Sequence, residues 1–447
     1  MTQFDHQRRG QSILQVDIDG LRRGWYSDKY FENSVHVLEG AKASSYGFAG
    51  HSSRPLPIDP AGLEIGDLEV EAQIFNRRRP YAVVAGTDVA LTMLRHASGM
   101  YQGQRYRPGW KNLKVEAVED GALTRFAGDT EDVDPVIRVR GRYREFALLE
   151  TPILGVLTRA SRIATNCYDV LSVSNGKPIL FFPARFDLPQ TQAVDGYAYY
   201  VAVQRYNHET GHAAGAFVST DAQAAWWGGR GGGTLPHALV ACFLGDTAEA
   251  MVAYARYARL DVPRMALVDF NNDAVGASRS TLAAYWPHYA EAYARDDAEG
   301  MKRWTLSGVR LDHSAKMRDL SLPDDAPTGV SAELVRMVRA ALDSTWEAWQ
   351  VPSHLTEAAR DFCRGVKIVV SGGFNRDRIQ QFEANNIPVD MYGVGSSLLQ
   401  STSDTSTDYT MDIVRVKLAG QWVDMAKLGR KANDNPELRP VDLNLFV

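Results

Sequence analysis

Apolar and polar positions alternate in short runs between about residues 66 and 142: Leu68–Phe75, Tyr81–Ala85, Leu113–Val118 and Val136–Val139, with Gly, Pro and Asp between them. A period of two broken by turn residues predicts half-buried antiparallel strands, and the stretch reads as an α+β domain. One helix is expected after Thr87, over Asp88–His96. A second, long and apolar, is expected from near Tyr143 through Leu148, Ile153, Leu157 and Ile163.

Beyond residue 175 the pattern changes to strand, loop and helix in repetition. Strands are expected at Ile179–Phe182, Met265–Phe270, Gly308–Leu311, Lys367–Val370 and Val389–Tyr392. Between them, Ala238–Ala258, Arg279–Ala294, Ala332–Trp349 and Arg376–Asn385 carry apolar residues at helical spacing. Such alternation implies a parallel sheet, read here as an irregular α/β barrel. The Ser/Thr/Asp-rich stretch Ser396–Thr410 is a linker out of it. Met411–Lys417 and Trp422–Met425, around Ala419-Gly420, form a hairpin that returns to the first domain. The expected division is thus an α+β sandwich over residues 1–149, completed by the C-terminal hairpin within 405–447, and an α/β barrel over 150–404.

A chain of 447 residues has room for two cores, and 45% hydrophobic with 23% charged residues is an ordinary globular balance. The net charge of −5 gives no footprint for a polyanion, so nucleic acid is not an expected partner. Cys167, Cys242 and Cys363 are too scattered for a disulfide framework or a zinc knuckle, and no metal-ligand spacing stands out. The amino terminus has no apolar run of the secretory kind, and the most apolar segments, near 151–158 and 238–244, are about half the length of a membrane span. The expected compartment is the cytoplasm, with no membrane partner.

In α/β barrels chemistry gathers at the carboxyl ends of the strands, with phosphate often held after the last two. Just past the expected strands stand Asp269, then Arg310 and Asp312, then Ser371-Gly372-Gly373, then Gly393-Val394-Gly395-Ser396. The glycines would let backbone N–H groups approach a phosphate, with the following helix adding its dipole at Asn375–Asp377; they equally suit plain tight turns. Arg310 and Asp312 point the same way across a strand end, either as a clamp for phosphate and sugar or as a mutual ion pair. His237, in Gly233-Thr234-Leu235-Pro236-His237, sits where Thr234 can cap and Pro236 start a helix. Its imidazole is either a nucleophile or a structural group. Arg77-Arg78-Arg79 suits a phosphate tail from a second subunit or a solvated turn.

Several of these segments together resemble the nicotinate phosphoribosyltransferase family, one of the type II phosphoribosyltransferases, in its archaeal-like branch. Ser27-Asp28-Lys29-Tyr30-Phe31 is similar to its Thr-Asp-x-Tyr-Phe start, and Glu150-Thr151-Pro152-Ile153-Leu154-Gly155 to its Glu-Thr-x-Ile-Leu-Gly helix. Gly233–Leu239 resembles Gly-Thr-Met-Pro-His-Ala-Leu, Leu267-Val268-Asp269 resembles Leu-Val-Asp, and Gly308–Asp312 resembles Gly-Val-Arg-Leu-Asp. Lys367–Gly373 and Val389–Gly395 are similar to Lys-Ile-x-Val-Ser-Gly-Gly and Val-Asp-x-Phe-Gly-Val-Gly. The likeness runs from about residue 21 to 425, in order.

The resemblance implies ATP-assisted condensation of nicotinate with phosphoribosyl pyrophosphate for NAD biosynthesis, with Mg²⁺ as cofactor and ATP as co-substrate. It makes His237 the histidine that ATP phosphorylates, has Arg310 and Asp312 hold ribose and pyrophosphate, and gives the 5-phosphate to Ser371, Gly372, Gly373, Gly393 and Gly395. Asp269 belongs to the same substrate-binding set. Phe182 and a partner subunit's Tyr30 position would sandwich the pyridine ring beside Arg185, in a homodimer with shared sites. Where the branch has Ala-Arg-Arg-x-His-Pro, this chain has Ala184-Arg185-Phe186-Asp187-Leu188-Pro189; an expected aspartate is Ala216, and His313-Ser314-Ala315 follows Asp312. These departures leave nicotinamide or another base, or a non-catalytic phosphoribosyl-binding relative, as alternatives.

Overall fold

In the computed structural model, which describes residues 7–52, 54–403 and 405–447, the chain builds two six-stranded sheets on either side of one long helix. The first sheet runs in the order Gln421–Asp424, Tyr409–Leu418, Glu69–Asn76, Ile137–Arg142, Lys114–Ala117, Arg439–Pro440, with antiparallel neighbours. The expected hairpin therefore does return: Tyr409–Leu418 lies beside Glu69–Asn76, and Ala419 and Gly420 make the turn with φ of 47° and 83°. Alternation along the central strand is chemical rather than a matter of exposure. Ala72 and Ile74 face an apolar core with Leu91, Leu94, Ile153 and Leu157. On the other face Glu71 is buried by Arg140 at 2.5 Å and Arg415 at 3.0 Å, while Gln73 is held by the backbone of Lys431 and Asn433.

The second sheet is parallel throughout: Met265–Leu267, Gly308–Leu311, Lys367–Val370, Met391–Val394, Ile179–Phe181, Phe217–Val218. It is a parallel half-barrel. Beside its last strand runs the glycine-rich segment before His237, touching it through the single bridge Val218–Gly231. The strand interiors are almost wholly apolar, as expected for strands covered on both faces.

The helix Glu150–Leu171 joins the halves. Its first turns place Ile153 and Leu157 in the antiparallel core, and later ones place Ala160, Ile163, Ala164 and Cys167 in the core of the parallel sheet. Its start differs from the expected one near Tyr143, because 143–145 and 147–149 are 3-10 turns. The stretch expected as one helix over Ala238–Ala258 is two, His237–Cys242 and Thr247–Tyr257. Leu244 and Gly245 both take positive φ between them, and Asp246 then caps the second by accepting the Glu249 N–H. A nineteen-residue helix, Gln192–Thr210, had no amphipathic signal because it is buried on several sides, with Asp195, Tyr197, Tyr199 and Tyr206 among its covered residues. Arg78 is neither a phosphate grip nor solvated: it is buried, donating to Asn166 at 2.9 Å and Asp169 at 3.1 Å as a strut onto the long helix. No helix among the described residues is long and apolar enough to cross a membrane.

Candidate active site

Strand ends of the parallel sheet surround a cavity of about 570 Å³. Its wall is built from the residues that leave the strands: Phe182 after Ile179–Phe181, Ser219 after Phe217–Val218, Asp312 after Gly308–Leu311, Ser371 after Lys367–Val370 and Gly395 after Met391–Val394. Of the residues singled out from sequence, Phe182, Arg185, Arg310, Asp312, Ser371, Gly372, Gly373, Gly393 and Gly395 all line this one space. The parallel topology brings them together, since they come from the ends of four different strands.

The glycines are required by geometry. Gly372 and Gly373 have φ of 82° and 79°, where a side chain strains the backbone. A Cβ on Gly393 would stand 2.9 Å from the Phe182 ring and 3.0 Å from Ser371 Cβ, and one on Gly395 would stand 2.9 Å from the Phe186 ring. Asn375 caps the helix Arg376–Ala384 by accepting the Arg378 N–H at 3.0 Å, and it lines the cavity too, so that helix begins at the cavity wall. Arg378, which no sequence signal marked, ties the loop down by donating to the carbonyls of Gly372 at 3.0 Å and Val330 at 2.6 Å.

Arg310 and Asp312 do share a side, yet they are not a tight ion pair: the closest approach is 3.9 Å. Asp312 instead accepts from the Ser371 hydroxyl at 2.7 Å. The Arg310 guanidinium is mostly buried, its Nε has no hydrogen-bond partner, and burial pulls its pKa below the ordinary arginine value, with the Arg185 cation adding to the effect. Two guanidinium groups thus act on one cavity with carboxylates only partly offsetting them, an arrangement that favours an anion.

His237 and Asp269 do not line the cavity itself; they adjoin it. Leu235 and Pro236 form part of its wall, and the next residue, His237, places Nε2 3.0 Å from Asp269 Oδ2. Asp269 is buried, its Oδ1 is without a hydrogen-bond partner, and its charge reaches Arg310. Thr234 lines the cavity instead of capping the helix, whose N-cap is Pro236. Tyr30 lies elsewhere, exposed near the start of the helix Lys29–Ala43, and does not line the cavity of its own chain. Sequence reasoning also passed over Ser219, Ser397 and Gln400, polar wall residues without a motif of their own.

Residues 58–161 match the family model of the quinolinate phosphoribosyl transferase N-terminal domain. Two nicotinate phosphoribosyltransferases of Mycobacterium tuberculosis, pncB2 and pncB1, are each 24% identical, over 78% and 77% of this chain. The matches cover 66% of each of those proteins, so the chain spans just under two thirds of their length. Among solved structures, a nicotinate-nucleotide pyrophosphorylase from Pyrococcus furiosus superposes with a TM-score of 0.62 at 22% identity, covering 96% of this chain and 85% of that one. The chain is thus similar in sequence to nicotinate phosphoribosyltransferases over about three quarters of its length, and in fold to a nicotinate-nucleotide pyrophosphorylase.

Proposed function

We propose that this protein is a nicotinate phosphoribosyltransferase, joining nicotinate to phosphoribosyl pyrophosphate with the help of ATP in NAD biosynthesis. The observation that carries the reading is the buried Arg310 guanidinium, its Nε without a hydrogen-bond partner, set among glycine loops at the strand ends, with the His237–Asp269 pair at the edge. Phosphate alone needs no histidine; ATP coupling does.

In this reading the 5-phosphate rests on the N–H groups of Gly372, Gly373, Gly393 and Gly395, and Asp312, steadied by Ser371, accepts from the ribose hydroxyls. Arg310 takes up the charge of the departing pyrophosphate, while Asp312 and the Phe182 face stabilise the cationic sugar. Arg185 meets the carboxylate of the base. With Asp269 accepting a hydrogen bond from the Nε2–H of His237, the Nδ1 lone pair is the nucleophile for the γ-phosphoryl group of ATP. Asp312 and Asp269, whose Oδ1 has no hydrogen-bond partner, would be the hard oxygen donors to a magnesium ion, which would supply charge neutralisation for the pyrophosphate.

Two alternatives are less well supported. Arg185 makes no ion pair among the described residues, which favours a carboxylated base over nicotinamide. The oriented His237 argues for catalysis over a binding role alone. Tyr30, exposed and away from its own cavity, fits a homodimer in which it reaches the partner's site. Three free cysteines fit a cytoplasmic setting. The test is direct: with magnesium and phosphoribosyl pyrophosphate, and a panel of bases with and without ATP, nicotinate mononucleotide should form fastest and respond to ATP. Product from another base only, or from none, overturns the proposal.

A further inference from the structure

The turn that follows Phe182 departs from the family pattern, and its geometry gives that departure a consequence. Phe182 extends the pairing of its strand by donating its N–H to the Val394 carbonyl at 2.8 Å. Pro183 then starts a 3-10 turn, Ala184–Phe186, closed by the Phe186 N–H on the Pro183 carbonyl at 2.9 Å. The turn folds the chain back, so Phe186 rests on Gly395 as Phe182 rests on Gly393, two rings over alternate residues of one strand end. Immediately afterwards Asp187 is clamped by Arg159 at 2.7 Å, and the same guanidinium holds Asp195 at 2.8 Å. The clamp fixes the turn, and it also consumes the charge of Arg159.

Among the described residues that line the cavity, its ring end thereby carries Arg185, whose guanidinium carbon lies 5.5 Å from the Phe186 ring centre, and an apolar wall of Phe182, Ala184 and Phe186 where the motif it resembles has a second cation. A carboxylate set against that wall would lose its hydration without gaining a partner. We propose that Phe186 is a specificity-determining residue of the base site, which takes a planar base with one carboxylate and rejects a pyridine-2,3-dicarboxylate. This rests on the reading of the cavity as a phosphoribosyltransferase site, which nothing about Phe186 requires in itself.

Phe186 is half exposed, on a surface turn, so its replacement should leave the fold intact. The test compares binding of nicotinate mononucleotide and of ribose 5-phosphate to the full chain by calorimetric titration. The mononucleotide should bind more tightly, and in Phe186→Ala its advantage should shrink by about threefold to tenfold, the range of an aromatic contact. Phe186→Tyr should restore it, and ribose 5-phosphate should bind all three proteins equally. Phe186→Arg should bind quinolinate about tenfold more tightly than the parent protein. A mononucleotide advantage that is absent, or unaltered by Phe186→Ala, overturns the proposal, as does equal quinolinate affinity of the parent and the arginine variant. Because these readouts need no turnover, a protein that shows them yet forms no mononucleotide from any base would retain this assignment and lose the proposed function instead.

Discussion

His237 Nε2 and Asp269 Oδ2 stand 3.0 Å apart at the edge of the strand-end cavity, and this contact selects the imidazole nitrogen that remains free. Asp269→Asn keeps the shape but removes the carboxylate that holds the imidazole and fixes its tautomer. ATP-stimulated turnover should fall by about 10²- to 10⁴-fold, the upper figure being the loss seen when a catalytic histidine is deprived of its orienting carboxylate. Radiolabelled ATP should leave correspondingly less phosphohistidine on the protein, and unchanged labelling would remove Asp269 from this role.

Arg310 is expected to serve binding at the expense of stability. Its buried Nε has no partner and its distance to Asp312 is 3.9 Å, so the ligand-free protein carries a desolvated charge. Arg310→Met preserves volume and removes that charge, and should leave the melting temperature unchanged or raised. The rise in melting temperature that phosphoribosyl pyrophosphate gives the parent protein should vanish. A variant that melts lower and still responds to the ligand contradicts this.

At Gly393 the demand is steric. An added methyl meets the Phe182 ring at 2.9 Å and Ser371 Cβ at 3.0 Å, so Gly393→Ala must displace the ring, the loop or both. Overpacking of this kind costs about 1–3 kcal/mol. Steady-state kinetics should show KM raised for both nicotinate and phosphoribosyl pyrophosphate, since one substitution disturbs the ring wall and the phosphate loop together. An effect on neither would mean that neither wall contacts substrate.

Glu150 offers a pH test remote from the cavity. Burial, with the Asp412 and Asp28 carboxylates nearby, raises its pKa from the ordinary 4.5 to about 8. The folded state therefore holds this proton more tightly than the unfolded chain, and its contribution to stability is present below about pH 4.5 and is lost as pH rises through about 8. Glu150→Gln has no proton to lose. Its melting temperature should gain on the parent between pH 6 and 9, and a constant gap would show that Glu150 titrates normally.

The half-barrel was legible because its strands are nearly all-apolar runs ending in Gly, Asp or Ser, and Gly308–Leu311 and Lys367–Val370 form over the residues expected. The cavity residues were legible for a related reason: strand ends fix their place whatever the intervening loops do. The helix Gln192–Thr210 was not, because burial on several sides erases the amphipathic stripe that would have announced it. Nor was the break at Leu244-Gly245, where a non-glycine residue at φ 57° leaves no clear mark in the sequence. Arg78 and Arg378 show the limit for charged residues, since only tertiary contacts reveal that one braces the long helix and the other holds the Gly372 carbonyl. Phe186 read as a lost cation, and its place over Gly395 needed the fold.

A crystal structure of the complex with nicotinate mononucleotide examines the central claim most directly, because phosphate, ribose and ring must each find their own part of one cavity. The account expects the 5-phosphate on the Gly372–Gly373 and Gly393–Gly395 loops, the ribose hydroxyls at Asp312, and the ring against Phe182 with its carboxylate towards Arg185. Density for the nucleotide outside this cavity, or reversed so that the phosphate meets Arg185, would contradict it.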